Sequence, residues 1–534
     1  LGGTDISAQS LYGADGNDVI SLGAAGITAT ASAKIVVPNL ADYLGTGAGK
    51  GGFISGNGGN GYLISGDVLL HGSAGTVYTG EGSVQISANG TGGTMNLEVE
   101  GVRTADQGAR TVKGALFQAN AGNDSIALGE SLTKVSATTF AGGAGNDIIG
   151  AYKYVNEQWA ADELSGTFVS ARFEGGKGDD TIYLNGAAVY SALNVNANQG
   201  NDLVQVKGSV SGYSNSIVGL GAGNDSFSGE FVSHLSSTIA GGKGNDTISL
   251  TATTVSDSVI GGDRANTTSI DGDGNDSIRF DVGGQNFTGS TIYGGGGNDT
   301  ITFVAAGMTA STVSLNKGAD IFSAEENLII KDSTIGMGAD NDEFHLVDSG
   351  AILSSRLNLG KGADTTDFGG ASIGSGSDFN ATLYGGAGAD ILLGSAATDA
   401  ADTIQIQLGY TDNSESTISA FDTVDFNVNV SGTYQFRMDD ATTIATFEGS
   451  GLTGTNGVVT FSSTFANGVT ARAEAIASNT SNGEAAAFMD EDSKVYFFVK
   501  GASDNLLVQV GSAASTEIEA LTVSASKNLH LRLS

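Results

Sequence analysis

Asp147 closes a short phrase of glycines and small residues, Gly142-Gly143-Ala144-Gly145-Asn146-Asp147, and the apolar Ile149 follows two places on. The phrase returns as Gly175-Gly176-Lys177-Gly178-Asp179-Asp180, as Gly241-Gly242-Lys243-Gly244-Asn245-Asp246 and as Gly294-Gly295-Gly296-Gly297-Asn298-Asp299. Gly221, Gly223, Asn224 and Asp225 repeat it. Gly122-Asn123-Asp124, Gly200-Asn201-Asp202 and Gly274-Asn275-Asp276 keep its closing half, the last with Asp271 and Asp273 just upstream. A glycine run lets the backbone turn tightly and aim its carbonyls inward, and the Asp at its end adds a carboxylate. Such a turn is a recipe for binding calcium, and these residues are its candidate ligands. Thinner copies end at Asp320, Asp364 and Asp390, with Ala where Asn is usual. In Gly338-Ala339-Asp340-Asn341-Asp342 the register is ambiguous between Asp340 and Asp342, and an outlying copy ends at Asp18.

Spacing carries as much information as the motif. From Asp124 to Asp390 the successive gaps are 23, 33, 22, 23, 21, 30, 23, 21, 22, 22 and 26 residues. A period near 22, with insertions of roughly ten residues in two coils, points to stacked repeats. A flexible glycine linker would not keep an Asp in phase with an apolar residue two places on. Each motif is followed by an alternating run, such as Asp246-Thr247-Ile248-Ser249-Leu250, and a second run such as Ser258-Val259-Ile260 precedes the next glycines. Two short strands per period, with no helical spacing, predict one coil of a parallel β-solenoid. Ile248 and Leu250 are expected to point into the coil while Thr247 and Ser249 face water. The fold class is therefore all-β, with about 22 residues per coil. No coil can bury its apolar face alone, so neighbouring coils stabilise one another.

The phrase Gly-Gly-x-Gly-Asn-Asp-x-Ile resembles the nonapeptide of the RTX (repeats-in-toxin) family, the calcium-binding β-roll proteins. The resemblance covers roughly 120–400, plus Gly13-Ala14-Asp15-Gly16-Asn17-Asp18-Val19-Ile20. It implies about a dozen Ca2+ ions held between stacked turns by glycine-run carbonyls and the motif carboxylates. Family members often repeat the nonapeptide back to back, loading both edges of the roll; here it occurs once per coil, so calcium is expected mainly along one edge.

Composition agrees with a calcium-loaded rod. The formal net charge is −35 over 534 residues, which would repel itself in a compact stack. A dozen divalent ions would bring about +24 and offset roughly two thirds of that excess. Cysteine is absent, which excludes a disulfide framework, a CxxC redox pair and a thiolate zinc site. Pro38 is the single proline, as suits a chain whose amides serve sheet ladders. The acidic charge argues against nucleic acid as a partner, and no apolar run of membrane-spanning length occurs.

Catalytic searches return little. His71, His234, His345 and His530 are scattered and none sits in HExxH. Gly370-Ala371-Ser372-Ile373-Gly374 matches GxSxG without an α/β-hydrolase context, and the GxGxxG at Gly47 to Gly52 has no helix pattern after it. The acidic groups Glu325-Glu326, Asp439-Asp440 and Asp490-Glu491-Asp492 read as solvated turns or extra calcium sites before paired catalytic carboxylates.

The organisation read from the sequence is an RTX-like fragment at 1–19, an irregular β insertion or degenerate solenoid at 20–118, the calcium-binding solenoid at 119–400 and a β-rich cap at 401–534. The opening at Leu1, without Met or a signal peptide, reads as the middle of a longer protein or a processed product. In the cap, Val495-Tyr496-Phe497-Phe498-Val499 and Leu506-Leu507-Val508-Gln509-Val510 form the arms of an expected hairpin. The region resembles the C-terminal part of type I-secreted RTX proteins, which implies a type I secretion apparatus as partner and an uncleaved export signal in Leu529-His530-Leu531-Arg532-Leu533-Ser534. Three readings of function follow. The favoured one is a non-enzymatic, secreted surface protein that self-assembles laterally into an S-layer-like lattice, with cell-surface polysaccharide as a candidate anchor. The alternatives are the distal part of an adhesin and the export module of a larger secreted enzyme.

Overall fold

The computed structural model describes most of 123–262, 274–393 and 443–510, apart from short interruptions, together with separate strands elsewhere from Asp18–Ile20 onward. Two compact units are present, one of residues 1–267 with 272–276, the other of 268–271 with 277–534.

One coil of the first unit shows how the sequence makes the fold. After Asp202 the chain runs through Leu203–Val210 and Gly212–Ser214, turns at Asn215-Ser216, and returns as Ile217–Ala222 to the next glycine turn. Val204, Val206, Tyr213, Val218 and Leu220 are buried inside, because alternate residues of an extended chain face opposite ways. The next coil stacks in parallel register, with Val204 opposite Phe227 and Val218 opposite Ile239. Thr247 to Leu250 alternate outward and inward as their sequence predicts. The strand after the motif is longer than expected, however. It is either broken into two segments of one sheet, as here, or fused into the ten-residue strands Ser226–Leu235 and Thr247–Ser256.

Like residues stack on like, as identical coils in register require. Phe140 lies between Phe117 and Phe173 at centroid distances of 5.1 and 5.0 Å. In the second unit Phe280, Phe303, Phe322 and Phe344 form a column at 4.9, 5.6 and 4.9 Å. Offset aromatic stacking adds about 0.5–1.5 kcal/mol per pair to the burial of the rings.

Described strands of the section before 119 join the same parallel pairing. Val68–His71, Val84–Ser87 and Ala115–Ala121 pair in parallel with one another, and Ala115–Ala121 pairs in parallel with Thr139–Ala144. The insertion between Asp147 and Asp180 is an antiparallel hairpin, with Tyr154 opposite Trp159. The second insertion lies outside the described residues.

The C-terminal part ends both sheets of the second unit with antiparallel strands. Asp422–Asp425 pairs in parallel with Leu506–Val510, which continues antiparallel into Val495–Val499 and Glu484–Met489. The predicted hairpin is therefore present, with Phe497 opposite Val508. The tail strand Asn528–Leu533 pairs antiparallel with Thr433–Arg437 and Ile518–Val523. Among the described residues a helix, Val469–Ser478, departs from the all-strand expectation. Its alternating alanines favour helix, and Ala473 and Ile476, three residues apart, pack with Phe488, Tyr496 and Phe498. Among the described residues no helix is long and apolar enough to cross a membrane.

Candidate metal centre

Each coil turns twice, and the two corners are built differently. At the glycine corner, coils can stack only where side chains are missing. Gly176 has φ 126°, and a Cβ there would collide with the Gly143 carbonyl oxygen of the neighbouring coil. Asn198 and Asn316 take the same left-handed place at φ 79° and 76°, a conformation asparagine tolerates.

The motif aspartates form a buried ladder along this corner. The N–H of Asp124 donates to Oδ1 of Asp147 (2.7 Å), Asp147 to Asp180 (2.8 Å), Asp180 to Asp202 (2.7 Å), Asp202 to Asp225 (2.7 Å), Asp225 to Asp246 (2.8 Å) and Asp246 to Asp276 (2.8 Å). The second unit repeats the pattern from Asp299 through Asp320, Asp342 and Asp364 to Asp390. None of these side chains is more than 2 % exposed. Outside them runs an exposed ladder of opposite sense. The N–H of Asn146 donates back to Asn123, Asp179 to Asn146, Asn201 to Asp179, Asn224 to Asn201, Asn245 to Asn224 and Asn275 to Asn245. In the alanine variants the backbone still donates, Ala319 to Asn298 and Ala363 to Asn341, but the variant coil offers no acceptor of its own.

The second carboxylate oxygen is left over. Oδ2 of Asp147, Asp180, Asp202, Asp225, Asp246, Asp320, Asp342 and Asp364 is buried without a hydrogen-bond partner. Burial pushes these carboxyls far up from 3.8, to about 7 at Asp147 and about 8 at Asp180, Asp246 and Asp364. The backbone N–H opposes the shift and the neighbouring carboxylates add to it. A row of like-charged, unsatisfied oxygens inside a protein is costly unless a cation lies among them. The donors present are carboxylate and main-chain oxygens, the set that suits a hard divalent ion. Oδ2 atoms of the ladder and carbonyls of the glycine turns would hold such an ion, which would supply the positive charge the stacked carboxylates lack. Among the described residues no three His or acidic side chains gather into a metal cluster, so a bridging ion would complete its shell with turn carbonyls.

The rungs are not equal. Gly142, Gly175, Gly241, Gly294 and Gly385 stand five residues before their ladder Asp, and Oδ2 occupies the space a Cβ would take. At Gly175 and Gly241 the carbonyl oxygens of Ala197 and Gly262 reach the same space. Elsewhere Ala197, Leu220, Leu315, Met337 and Leu359 hold that position, buried.

The structure sorts the sequence candidates. Asp342 is the ladder residue of the ambiguous copy, and Asp340 takes the left-handed turn position at φ 85°. Gly145, Gly178, Gly200, Gly221, Gly223, Gly242, Gly244, Gly295 and Gly297 all adopt positive φ in the turns, while Gly274 abuts the Gly244 carbonyl. Asn298 accepts in the outer ladder of the second unit. Asp18 pairs along the backbone with Val68. Gly122, Asp271 and Asp273 lie outside the described residues, as do Asp439 and Asp440. Asp490 instead closes a hairpin turn, accepting from the N–H groups of Asp492 and Lys494, and Glu325 pairs with Arg279. His234 is buried in the core against Tyr213 and beside Ser258, while His345 lies beside Glu343.

Two elements escape the motif. Asp422 extends the ladder, its Oδ1 accepting from Asp390 at 3.0 Å. No glycines precede it; the available signal is the likeness of Asp422-Thr423-Val424 to Asp246-Thr247-Ile248. The other corner is closed by buried hydroxyls: Thr138, Ser216, Ser237, Ser290, Ser311, Ser333 and Ser355, each nine residues before its ladder Asp, and Ser258, eighteen before Asp276 across the insertion. Each donates to the carbonyl two residues back, as Ser333 does to Lys331 at 2.7 Å, and Ser333 Oγ accepts from the N–H of Ser311 at 3.1 Å. That corner needs no ion.

No family model matches the chain, and no curated protein matches its sequence. Among solved structures, similarity is found to a hyperactive, Ca2+-dependent, β-helical antifreeze protein from an Antarctic bacterium. Identity is 16 % and the TM-score 0.31, over 59 % of this chain and 85 % of that one.

Proposed function

We propose that this chain is a secreted, calcium-binding structural protein of RTX type, whose solenoid folds on meeting extracellular calcium and whose copies then pack side by side into a cell-surface layer. The observation that carries the reading is the ladder of buried carboxylates with unpartnered Oδ2 atoms in glycine-cleared turns. Asp147, Asp180 and Asp246 would hold Ca2+ together with turn carbonyls, and the ion would supply the positive charge the stack lacks. In calcium-poor cytosol the carboxylates repel and the thin core does not outweigh chain entropy, which keeps the chain threadable through a type I secretion apparatus. Millimolar calcium outside matches the weak affinities of extracellular sites, about 10⁻⁴ to 10⁻³ M. The charge of −35 keeps free copies apart, and bound calcium lowers that barrier. Outward Thr312 and Thr334, stacked in register, offer flat polar faces to a neighbouring copy or to cell-surface polysaccharide. The reading assigns no enzymatic activity.

Calcium titration followed by circular dichroism, light scattering and negative-stain microscopy tests it. The expected result is a cooperative gain of β signal, then ordered sheets, both reversed by chelator and poorly supported by magnesium. A spectrum indifferent to calcium removes the metal reading; a calcium-folded protein that stays monomeric at high concentration removes the lattice and favours an adhesin or export module.

A further inference from the structure

Resting on the layer reading, we propose that neighbouring copies meet through unlike faces of their second units. The face carrying Lys317, Arg356 and Lys361 on one copy packs on the face carrying Asp281, Glu343 and Asp367 on the next. The first face is built by Thr291–Gly296, Thr312–Lys317, Thr334–Ala339, Arg356–Lys361 and Thr382–Ala387, paired in parallel. In a chain with 58 acidic and 23 basic residues, these five strands hold no Asp or Glu and three bases. Lys317, Arg356 and Lys361 are all exposed, while the acids Asp332 and Asp340 stand in the turns at the margins. Lys317 and Lys361 share one column with Ala339 between them, so their backbones lie about 10 Å apart. The Arg356 guanidinium lies 4.1 Å from the centroid of the Tyr384 ring, which holds its planar fork ready for a carboxylate.

The opposite sheet of the same coils is built by Ser277–Val282, Thr300–Val304, Ile321–Ala324, Glu343–Leu346 and Thr365–Asp367. Its outward positions carry the reverse sign. Asp281, Glu343 and Asp367 are exposed. Arg279, the one Arg of these strands, is committed within the molecule, its Nη1 and Nη2 donating to the Glu325 carboxylate. His345 lies beside Glu343 and stacks in register between Ser323 and Asp367. Between the charges both faces present short polar side chains: Thr312, Ser314 and Thr334 on one, Thr300, Thr302 and Ser323 on the other. Either face laid on itself sets like charges together, and only the unlike pair matches. Complementarity of this kind decides which surfaces meet more than how tightly they hold. A contact between two different faces does not close on itself, so it adds copies in an open row, the growth a layer needs.

The test is calcium-induced assembly of the purified full chain, followed by light scattering and negative-stain microscopy. Circular dichroism checks that each variant still gains β signal with calcium. Lys317→Glu, Arg356→Glu and Lys361→Glu together should raise the protein concentration needed for sheets at least about tenfold, and so should Asp281→Lys, Glu343→Lys and Asp367→Lys together. All six in one chain restore unlike faces and the original net charge, and should return that concentration to within about threefold of wild type. The acid-face set makes the chain less negative, so general repulsion alone predicts easier assembly there, the reverse of the expected result. Where a set of three fails to fold, Arg356→Glu, Glu343→Lys and their combination serve instead. Sheets unaffected by either set, easier assembly of the acid-face set, or no recovery in the combined chain would overturn the pairing; the first outcome would leave the basic face to an anionic polysaccharide. A wild-type chain that folds with calcium and never assembles would instead fell the layer reading, and this pairing with it.

Discussion

The N–H of Asp390 donates to Oδ1 of Asp422, thirty-two residues later in sequence and one coil away in space. The carboxylate ladder thus outlasts the glycine repeats that announce it and reaches the coil on which Leu506–Val510 pairs. Ladder membership is set by position in the stack, and the glycines serve the stacking of turns.

Position within the stack governs the effect of losing a carboxylate. Asp180→Ala removes a proposed calcium donor and the acceptor of the Asp147 N–H, and an unmet buried N–H costs about 1–3 kcal/mol. The calcium midpoint for folding should rise severalfold, and clearly more than for Asp18→Ala, whose backbone pairs with Val68. Equal shifts in a dichroism-monitored titration would contradict one cooperative array.

The metal-free protein should be more stable at pH 5 than at pH 8. Carboxyls at about 7 to 8 in the fold, against 3.8 ordinarily, keep protons that the unfolded chain has already released. The folded state binds more protons between about pH 4 and pH 8, so its stability falls as pH rises through that window. Calcium must displace those protons, so its midpoint should move to higher concentration as pH is lowered. Circular dichroism of metal-stripped protein, which should show more β structure at pH 5 than at pH 8, checks the sign.

The hydroxyl corner should behave in the opposite manner. Ser333→Ala deletes an acceptor for the Ser311 N–H and a donor to the Lys331 carbonyl, at a cost of about 1–3 kcal/mol. Urea unfolding at saturating calcium should register that loss in full, with the number of calcium ions bound unchanged. A lowered ion count would tie the two corners together.

Gly176→Ala combines a left-handed φ of 126° with a collision against the Gly143 carbonyl oxygen. The loss should exceed about 1 kcal/mol even with calcium present, because backbone must move. Gly212→Ala, in the same unit but facing only a Val189 methyl at 3.9 Å, is the control and should be nearly neutral in the same unfolding measurement.

The period, the strand polarity and the inward face were legible because each rests on short-range alternation repeated many times. Ile248 and Leu250 are buried as their spacing requires. The serine corner was not read, although Ser237 and Ser311 keep a constant nine-residue offset from Asp246 and Asp320, because a lone serine carries no periodic apolar signal. Asp422 was missed for want of glycines. The helix Val469–Ser478 lay hidden because only Ala473 and Ile476 of its residues are buried, too few for a visible stripe. The inequality between Gly175 and Leu220, five residues before their aspartates, becomes meaningful only once Oδ2 of Asp180 is seen to fill the space at Gly175.

The opposed senses of the two ladders give damage a direction. An inner acceptor serves the coil before it, as Asp246 serves the Asp225 N–H; an outer acceptor serves the coil after it, as Asn201 serves the Asn224 N–H. Losing Asp246 therefore wounds its upstream neighbour, and losing Asn201 its downstream one. Removing both side chains together strips the turn at Asn224-Asp225 of its two side-chain acceptors from opposite sides, while every residue of that turn stays as it was. A coil can be disarmed without altering a letter of its own sequence.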